Sequence, residues 1–382
     1  MFENIIKFIR KIFNTETGFI PLHEPRFIGK EKEYLINCID SNYVSSIGKY
    51  VDLFEQKFKE YTGAKYAVVT TNGTSALHMA LILAGVKANE LVITQPLTFI
   101  ATCNAIAYTG AHPLFIDVEY KTLGLSADKL NTFLKSNTYK NNDGSSYHKS
   151  TGKRIAACLP VHTFGHPTEI EDIKKICNSY NIPLIEDAAE SIGSTYNNVH
   201  TGRFGLIGVF SFNGNKTITS GGGGMLITDD DKIGKLAKHL TTQAKIPHRW
   251  EFSHDYIGYN YRLPNINAAL ACAQMENLNT FIQNKRELAA LYKNFFSTTP
   301  YIYVDEPPHA KSNFWLNCIL MRNRKERDEF LEYSNNNGVM TRPAWTLMNK
   351  LPMFANCIID NISNAIDIEN RLVNIPSSVR IK

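Results

Sequence analysis

Three short polar clusters follow apolar runs in this chain, and each carries residue types that can do chemistry. The first is Asn72-Gly73-Thr74-Ser75, after residues 67–71. It opens a predicted helix over 75–84, so its N–H groups and hydroxyls can cradle a phosphate at the positive end of the helix dipole. An N-cap by Thr74 or Ser75 is the plainer alternative. The second is Glu186-Asp187-Ala188-Ala189. Asp187 follows Ile182, Leu184 and Ile185, which puts a carboxylate at a strand tip in a partly desolvated place where it needs a cationic partner. A protonated pyridine nitrogen is such a partner, and keeping it protonated makes the ring an electron sink. An Arg or Lys in a structural salt bridge would serve as well. The third is Ser211-Phe212-Asn213-Gly214-Asn215-Lys216. Lys216 sits among small and polar residues just before Gly221-Gly222-Gly223-Gly224, as a Schiff-base lysine beside a bulky ligand would. Taken alone it reads as a solvated loop lysine.

A rival reading treats Gly214-Asn215-Lys216-Thr217 as the end of a nucleoside-triphosphate loop, G-x-x-x-x-G-K-[ST]. Asn215 stands where the glycine before the lysine belongs and Phe210 where the first glycine belongs. The spacing therefore argues against a magnesium-dependent nucleotide hydrolase.

The elements that must position these clusters follow from periodicity. Between about residues 60 and 230, strand-like runs (67–71, 91–94, 113–117, 155–160, 183–186) alternate with amphipathic stretches (75–84, 100–109, 170–180), the pattern of βα units on a parallel sheet. Each polar cluster then lies at the carboxyl end of a strand, the edge where open α/β sheets bind ligands. The polar stretch 135–153 reads as an exposed surface insertion. Residues 265–296 read as one long connecting helix leading to a mixed C-terminal domain.

Length and composition set the class. The chain has 382 residues, 43% hydrophobic and 20% charged, and a formal charge of +5, which fits an ordinary globular protein of two domains. No long Lys/Arg block with interleaved aromatics is present, so nucleic acid is not an expected partner. The seven cysteines are scattered and lack CxxC spacing, which argues against a disulfide framework or zinc site and for a reducing cytoplasm. No metal is expected. The first 20 residues carry an amphipathic helix, Ile5, Ile6, Phe8, Ile9 and Phe13 mixed with Lys7, Arg10 and Lys11. The run is too short for a spanning helix, so docking on the body or on a second subunit is expected rather than membrane insertion.

Asn72-Gly73-Thr74-Ser75-Ala76-Leu77, Thr98-Phe99-Ile100-Ala101-Thr102, Val161-His162-Thr163-Phe164-Gly165-His166, Glu186-Asp187-Ala188-Ala189-Glu190 and Ser211-Phe212-Asn213-Gly214-Asn215-Lys216 together resemble the DegT/DnrJ/EryC1/StrS sugar aminotransferases. They stand in that family's order, and the resemblance runs from Pro21 to about Pro352. It implies the α/β fold of type I pyridoxal phosphate-dependent transferases, similar to aspartate aminotransferase. A large domain with a mostly parallel seven-stranded sheet would span 21–264 and a smaller C-terminal α/β domain 265–382, in a homodimer with shared active sites.

By the same resemblance Lys216 holds pyridoxal 5'-phosphate and acts as general acid and base, while Asp187 pairs with the pyridine nitrogen. Phe99 would stack on the ring. Gly73, Thr74 and Ser211 would contact the phosphate, with Ser75 and Asn213 beside them. Asn260, in Tyr259-Asn260-Tyr261-Arg262, would reach the phosphate from the neighbouring subunit. His162 and Glu190 would surround the cofactor, Glu190 standing where many relatives carry glutamine. Related dehydratases have histidine in place of the lysine, so Lys216 places the chain with the aminotransferases.

Residues 21–27 and 44–51 resemble the enzymes of the legionaminic acid and bacillosamine routes. That implies amination at C4 of a UDP-linked 2-acetamido-4-keto-2,6-dideoxyhexose, with L-glutamate as donor, for a surface glycan or nonulosonic acid. The alternatives are a 3-keto-sugar aminotransferase of the same family and a non-catalytic sensor or scaffold that binds the cofactor. Arg26, Lys30, Arg249 and Arg342 are candidates for the sugar-nucleotide phosphates, and Tyr43, Ser45 and Ser46 for the sugar pocket.

Overall fold

Runs of three to five mostly apolar residues, too short for helices, form the central strands of one sheet. In the computed structural model, which describes residues 1–380, these are β1 (Tyr66–Thr70), β2 (Leu91–Thr94), β3 (His112–Phe115), β4 (Ile155–Cys158), β5 (Ile185–Asp187), β6 (Ile207–Ser211) and β7 (Gly224–Thr228). Their order is β1-β7-β6-β5-β4-β2-β3, with β4 joined to β5 through parallel bridges at Cys158–Leu184 and Val161–Asp187. Only β7 runs antiparallel to its neighbours, β1 and β6. The mostly parallel seven-stranded sheet expected from the sequence is therefore present. Ile358–Ile359, from the C-terminal part of the chain, adds a short parallel strand beyond β3.

Both faces of the sheet are covered, and the period of two sends neighbours to opposite sides. Val68, Val209 and Leu226 pack under the helices Gly73–Leu83 and Asp231–Thr241. Val69, Phe210 and Met225 pack on the other face with Phe54, Phe58 and Cys272, where the Phe58 and Phe210 rings meet edge to face at 4.9 Å. The helix Gly73–Leu83 lies between sheet and neighbouring helices, which is why it is apolar nearly all round rather than on one stripe. A Cβ on Gly224 would lie 2.4 Å from the carbonyl oxygen of Asn72, so β7 can pass the first polar cluster only with glycine there.

A second, antiparallel sheet is built around β8 (Asn317–Leu320) and β9 (Leu372–Ile375). The N-terminal helix, Phe2–Ile12, docks in this half. Ile5, Ile6 and Ile9 are buried with Leu288, Tyr292, Phe296 and Val373, and Phe8 stacks on Phe295 at 4.0 Å. Among the described residues no helix is long and apolar enough to cross a membrane.

Two elements differ from expectation. The helix read over 265–296 is two helices, Asn265–Glu276 and Leu278–Phe296, broken at Asn277 (φ −106°, ψ 1°). The Asn277 amide donates to the Ala273 carbonyl at 3.3 Å, the local competition by which Asn ends helices. The stretch 135–153 is not a bare excursion. It holds a hairpin, Thr138–Lys140 with Ser146–His148, whose Ser146 and His148 are buried. Ser146 Oγ donates to the Tyr180 carbonyl at 2.5 Å, which pins the polar stretch to the body.

Candidate active site

The carboxyl ends of β1, β5 and β6 meet at one cavity of about 320 Å³. Gly73 and Thr74 enter it from the turn after β1, Asp187 and Glu190 from the turn after β5, and Ser211, Asn213 and Lys216 from the turn after β6. Phe99, at the start of the helix Ile100–Tyr108, closes one side and is half exposed. The first turn is capped by Asn72, whose Oδ1 accepts from the Ser75 N–H at 2.8 Å, rather than by Thr74 or Ser75. That leaves Gly73 and Thr74 free at the positive helix end, facing Ser211. A Cβ on Gly73 would come within 2.9 Å of Ser211 Cβ, so the space between these turns exists because residue 73 has no side chain.

Asp187 is buried, and burial pushes its carboxyl above the usual range, against the opposing hydrogen bonds from Thr102 and Ala189. Thr102 Oγ1 donates to one carboxylate oxygen at 2.8 Å and the Ala189 N–H to the other at 3.2 Å. Thr98 lies 2.8 Å from Thr102 Oγ1 and, because Thr102 spends its proton on Asp187, donates to it. Among the described residues Asp187 makes no ion pair, so a buried carboxylate aims into the cavity without a cation. The Lys216 amine is instead 3.4 Å from Glu190 and 4.0 Å from the centre of the Trp315 ring. Burial raises the Glu190 carboxyl as well, opposed first by Lys216. Its other oxygen accepts from the Phe164 N–H at 2.8 Å. Phe164 holds a left-handed backbone (φ 55°) to aim that N–H, a conformation that costs about 1–3 kcal/mol.

Several expected residues stand elsewhere. His162 lies behind the wall, fully buried, with both ring nitrogens in use: Thr168 N–H donates to Nδ1 at 3.1 Å, so Nε2 carries the proton toward Glu186 at 3.0 Å. Ser75 turns its hydroxyl to Thr71 at 3.2 Å. Asn260 does not line this chain's own cavity and accepts from Arg262 Nε at 3.2 Å.

None of the seven substrate candidates, Lys30 and Arg249 included, lines the cavity of its own chain. Arg26 is spent on Glu24 and the Val379 carbonyl, and Arg342 on Asn335 and the Thr341 carbonyl. The Tyr43 carbonyl accepts from the buried Asn265 amide, Ser45 holds the Asn265 N–H, and Ser46 lines a separate cleft with Arg262. Conversely, Thr102, Trp315 and Trp345 form part of the site and were not anticipated. Thr102 had a usable signal, since it is one helical turn beyond Phe99. The two tryptophans come from the C-terminal half, and nothing local in their sequence marks them.

The sequence profile of the DegT/DnrJ/EryC1/StrS aminotransferase family matches residues 26–382. The chain belongs to this family. It is 38% identical over 337 residues to the GDP-perosamine synthase of Escherichia coli O157:H7, covering 88% of this chain and 87% of that one. It is 33% identical over 363 residues to the GDP-perosamine synthase of Vibrio cholerae, covering 94% of each. The aminotransferase TlmJ of Streptoalloteichus hindustanus shares the fold, with a TM-score of 0.86 at 23% identity over 96% of this chain and 95% of that one. Fold and family make this a pyridoxal phosphate-dependent sugar aminotransferase. The cavity fits that cofactor on its own terms. Asp187 is a buried carboxylate lacking a cation, which a protonated ring nitrogen would supply, and the cradle at Gly73 suits a phosphate.

Proposed function

We propose that this enzyme moves an amino group from L-glutamate to C4 of a nucleotide-linked 4-keto-6-deoxy sugar. The observation that carries the reading is the cavity in which an Asp187 carboxylate with no cationic partner among the described residues and the Lys216 amine face the helix end at Gly73 and Thr74. When bound, pyridoxal phosphate supplies an electron sink for the carbanion that forms when a proton leaves the donor's Cα. Lys216 would hold the cofactor covalently, and once the donor's amine has displaced it the freed Lys216 amine would take that proton as general base and later deliver one at the sugar's C4 as general acid. Asp187, fixed by Thr102, holds the ring nitrogen protonated. Gly73, Thr74 and Ser211 bind the phosphate, Phe99 covers the ring face, and Trp315 and Trp345 keep water from the proton path. His162 acts from behind by fixing Glu186 and the β5 turn.

The site is completed by a second copy of the chain, whose Asn260 reaches the phosphate in a homodimer. The loop leading to Asn260 exposes Trp250, Phe252, Tyr256 and Ile257, and Ile47 lines a cleft with its residues Pro247, His248 and Arg249, apolar surface of the kind a partner subunit covers. The domain division at 264/265 belongs to this reading, with the larger unit carrying the cofactor.

The N-terminal motif supports a uridine carrier. The two relatives named for GDP-perosamine, similar over most of their length, support a guanosine carrier and carry more weight. The test is direct. Purified enzyme with pyridoxal phosphate and glutamate is given GDP-linked and UDP-linked 4-keto-6-deoxy sugars in turn, and products are weighed by mass spectrometry. An amino-sugar nucleotide from the GDP substrate is the expected outcome. Product from the UDP substrate alone would reassign the carrier, and product from neither would sink the C4 reading.

A further inference from the structure

The helix Leu278–Phe296 buries a lysine. Lys285 has no exposed surface and no carboxylate partner among the described residues, and its amine donates to the carbonyls of Trp315 at 3.2 Å and Ser377 at 2.5 Å. Burial drops it to about 7. The neutral amine has two donor hydrogens, one for each carbonyl, so it is satisfied without charge. Holding an amine at so lowered a pKa costs stability at neutral pH and below, which makes bulk stability a poor account of its presence.

Trp315 ties it to the cavity. From the same residue whose carbonyl Lys285 holds, the indole Nε1 donates to the Asn215 carbonyl at 2.7 Å, and the ring face lies 4.0 Å from the Lys216 amine. The other carbonyl, on Ser377, belongs to a segment whose N–H donates to the Leu22 carbonyl at 2.6 Å, beside His23. Both nitrogens of His23 are buried without a partner. Lys285 thus clamps two chain segments behind the lysine loop, and one of them holds that loop by its backbone and its amine.

We propose that Lys285 is a positioning residue that fixes the Lys216 amine through Trp315. This rests on the reading of Lys216 as the reacting lysine, and the test separates the two. The full-length protein, freed of cofactor, is labelled briefly with acetic anhydride as wild type, Lys285→Met, Trp315→Phe and the double variant. Acetylation of Lys216 is read by peptide mass spectrometry against the exposed Lys325 as internal standard. A ring face favours the charged, unreactive amine. The expected result is faster labelling of Lys216 in each single variant by about two- to fivefold, the worth of one such contact, and no further gain in the double variant. In the loaded enzyme, Lys285→Met should lower kcat with the KM for glutamate unchanged.

Wild-type labelling in Lys285→Met, or effects that multiply in the double variant, would overturn the route through the indole. Should Lys285→Met fail to fold, Trp315→Phe decides alone, since unchanged labelling there removes the link between ring and amine. If borohydride fixes no cofactor on wild-type Lys216 while the labelling shifts still appear, the functional reading fails and the positioning stands.

Discussion

Asp187 is held in a setting that disfavours the charge it must carry. Burial raises its carboxyl, while one hydroxyl and one N–H favour the ionised form. Removing the charge should cost turnover and help the empty protein. Asp187→Asn is expected to lower turnover by about 10²- to 10³-fold, the range for one fixed electrostatic group. A carboxyl with a raised folded pKa contributes stability that is complete below its unfolded value of about 3.9 and is lost as pH rises through the folded value. The cofactor-free variant should therefore melt above the wild type at pH 7, with the gap closing toward pH 4. Thr102→Val keeps the charge and loses one bond, for an expected loss of about tenfold. Steady-state rates and thermal denaturation check both variants. Asp187 and Lys216 were legible as members of the site because Asp187 ends an apolar run and Lys216 sits among small and polar residues just before Gly221–Gly224. Thr102 could be read only as a neighbour of Phe99 one helical turn away, and its bond to Asp187 could not, because the two lie 85 residues apart in the chain.

The elements were legible where one period dominates. β2 and β4 are apolar but for Thr94, buried throughout, and lie in the sheet where expected, since a strand buried on both faces has little other way to place such a run. Legibility ended where a side chain competes with the backbone, as at Asn277, or where contacts are remote, as between Trp315 and Asn215. The helix Leu278–Phe296 offers a test through Lys285. Its amine drops from 10.5 in an open chain to about 7 when folded, so between those values the unfolded chain holds a proton that the folded one has shed. Stability then rises with pH from about 7 to 10.5 and is flat below for this group. Thermal midpoints of the wild type and Lys285→Met should differ most in the variant's favour at and below pH 7, and converge toward pH 10. A constant offset across that range would contradict burial of a neutral amine.

For the whole molecule, one chain exposes Trp250, Phe252, Tyr256 and Ile257 on the loop that leads to Asn260. The proposed homodimer would cover these residues, since the same patch on two copies can cover itself. Complementation tests whether the sites are shared. Lys216→Ala and Asn260→Ala proteins, each impaired, are unfolded and refolded together. With shared sites, half of the dimers are mixed and each has one intact site, so roughly a quarter of wild-type activity should return. No recovery would mean that each chain builds its site alone. Nothing in the sequence reports this assembly except the resemblance that names Asn260, because an exposed Trp or Ile looks the same in a string whether it meets water or a partner.

In the proposed function Lys216 is the covalent anchor of pyridoxal phosphate. Holoenzyme reduced with borohydride and digested should yield one peptide carrying the reduced cofactor on Lys216, and Lys216→Ala should yield none while unfolding at a wild-type midpoint. Cofactor fixed on another lysine, or appreciable transamination by Lys216→Ala, would contradict the account.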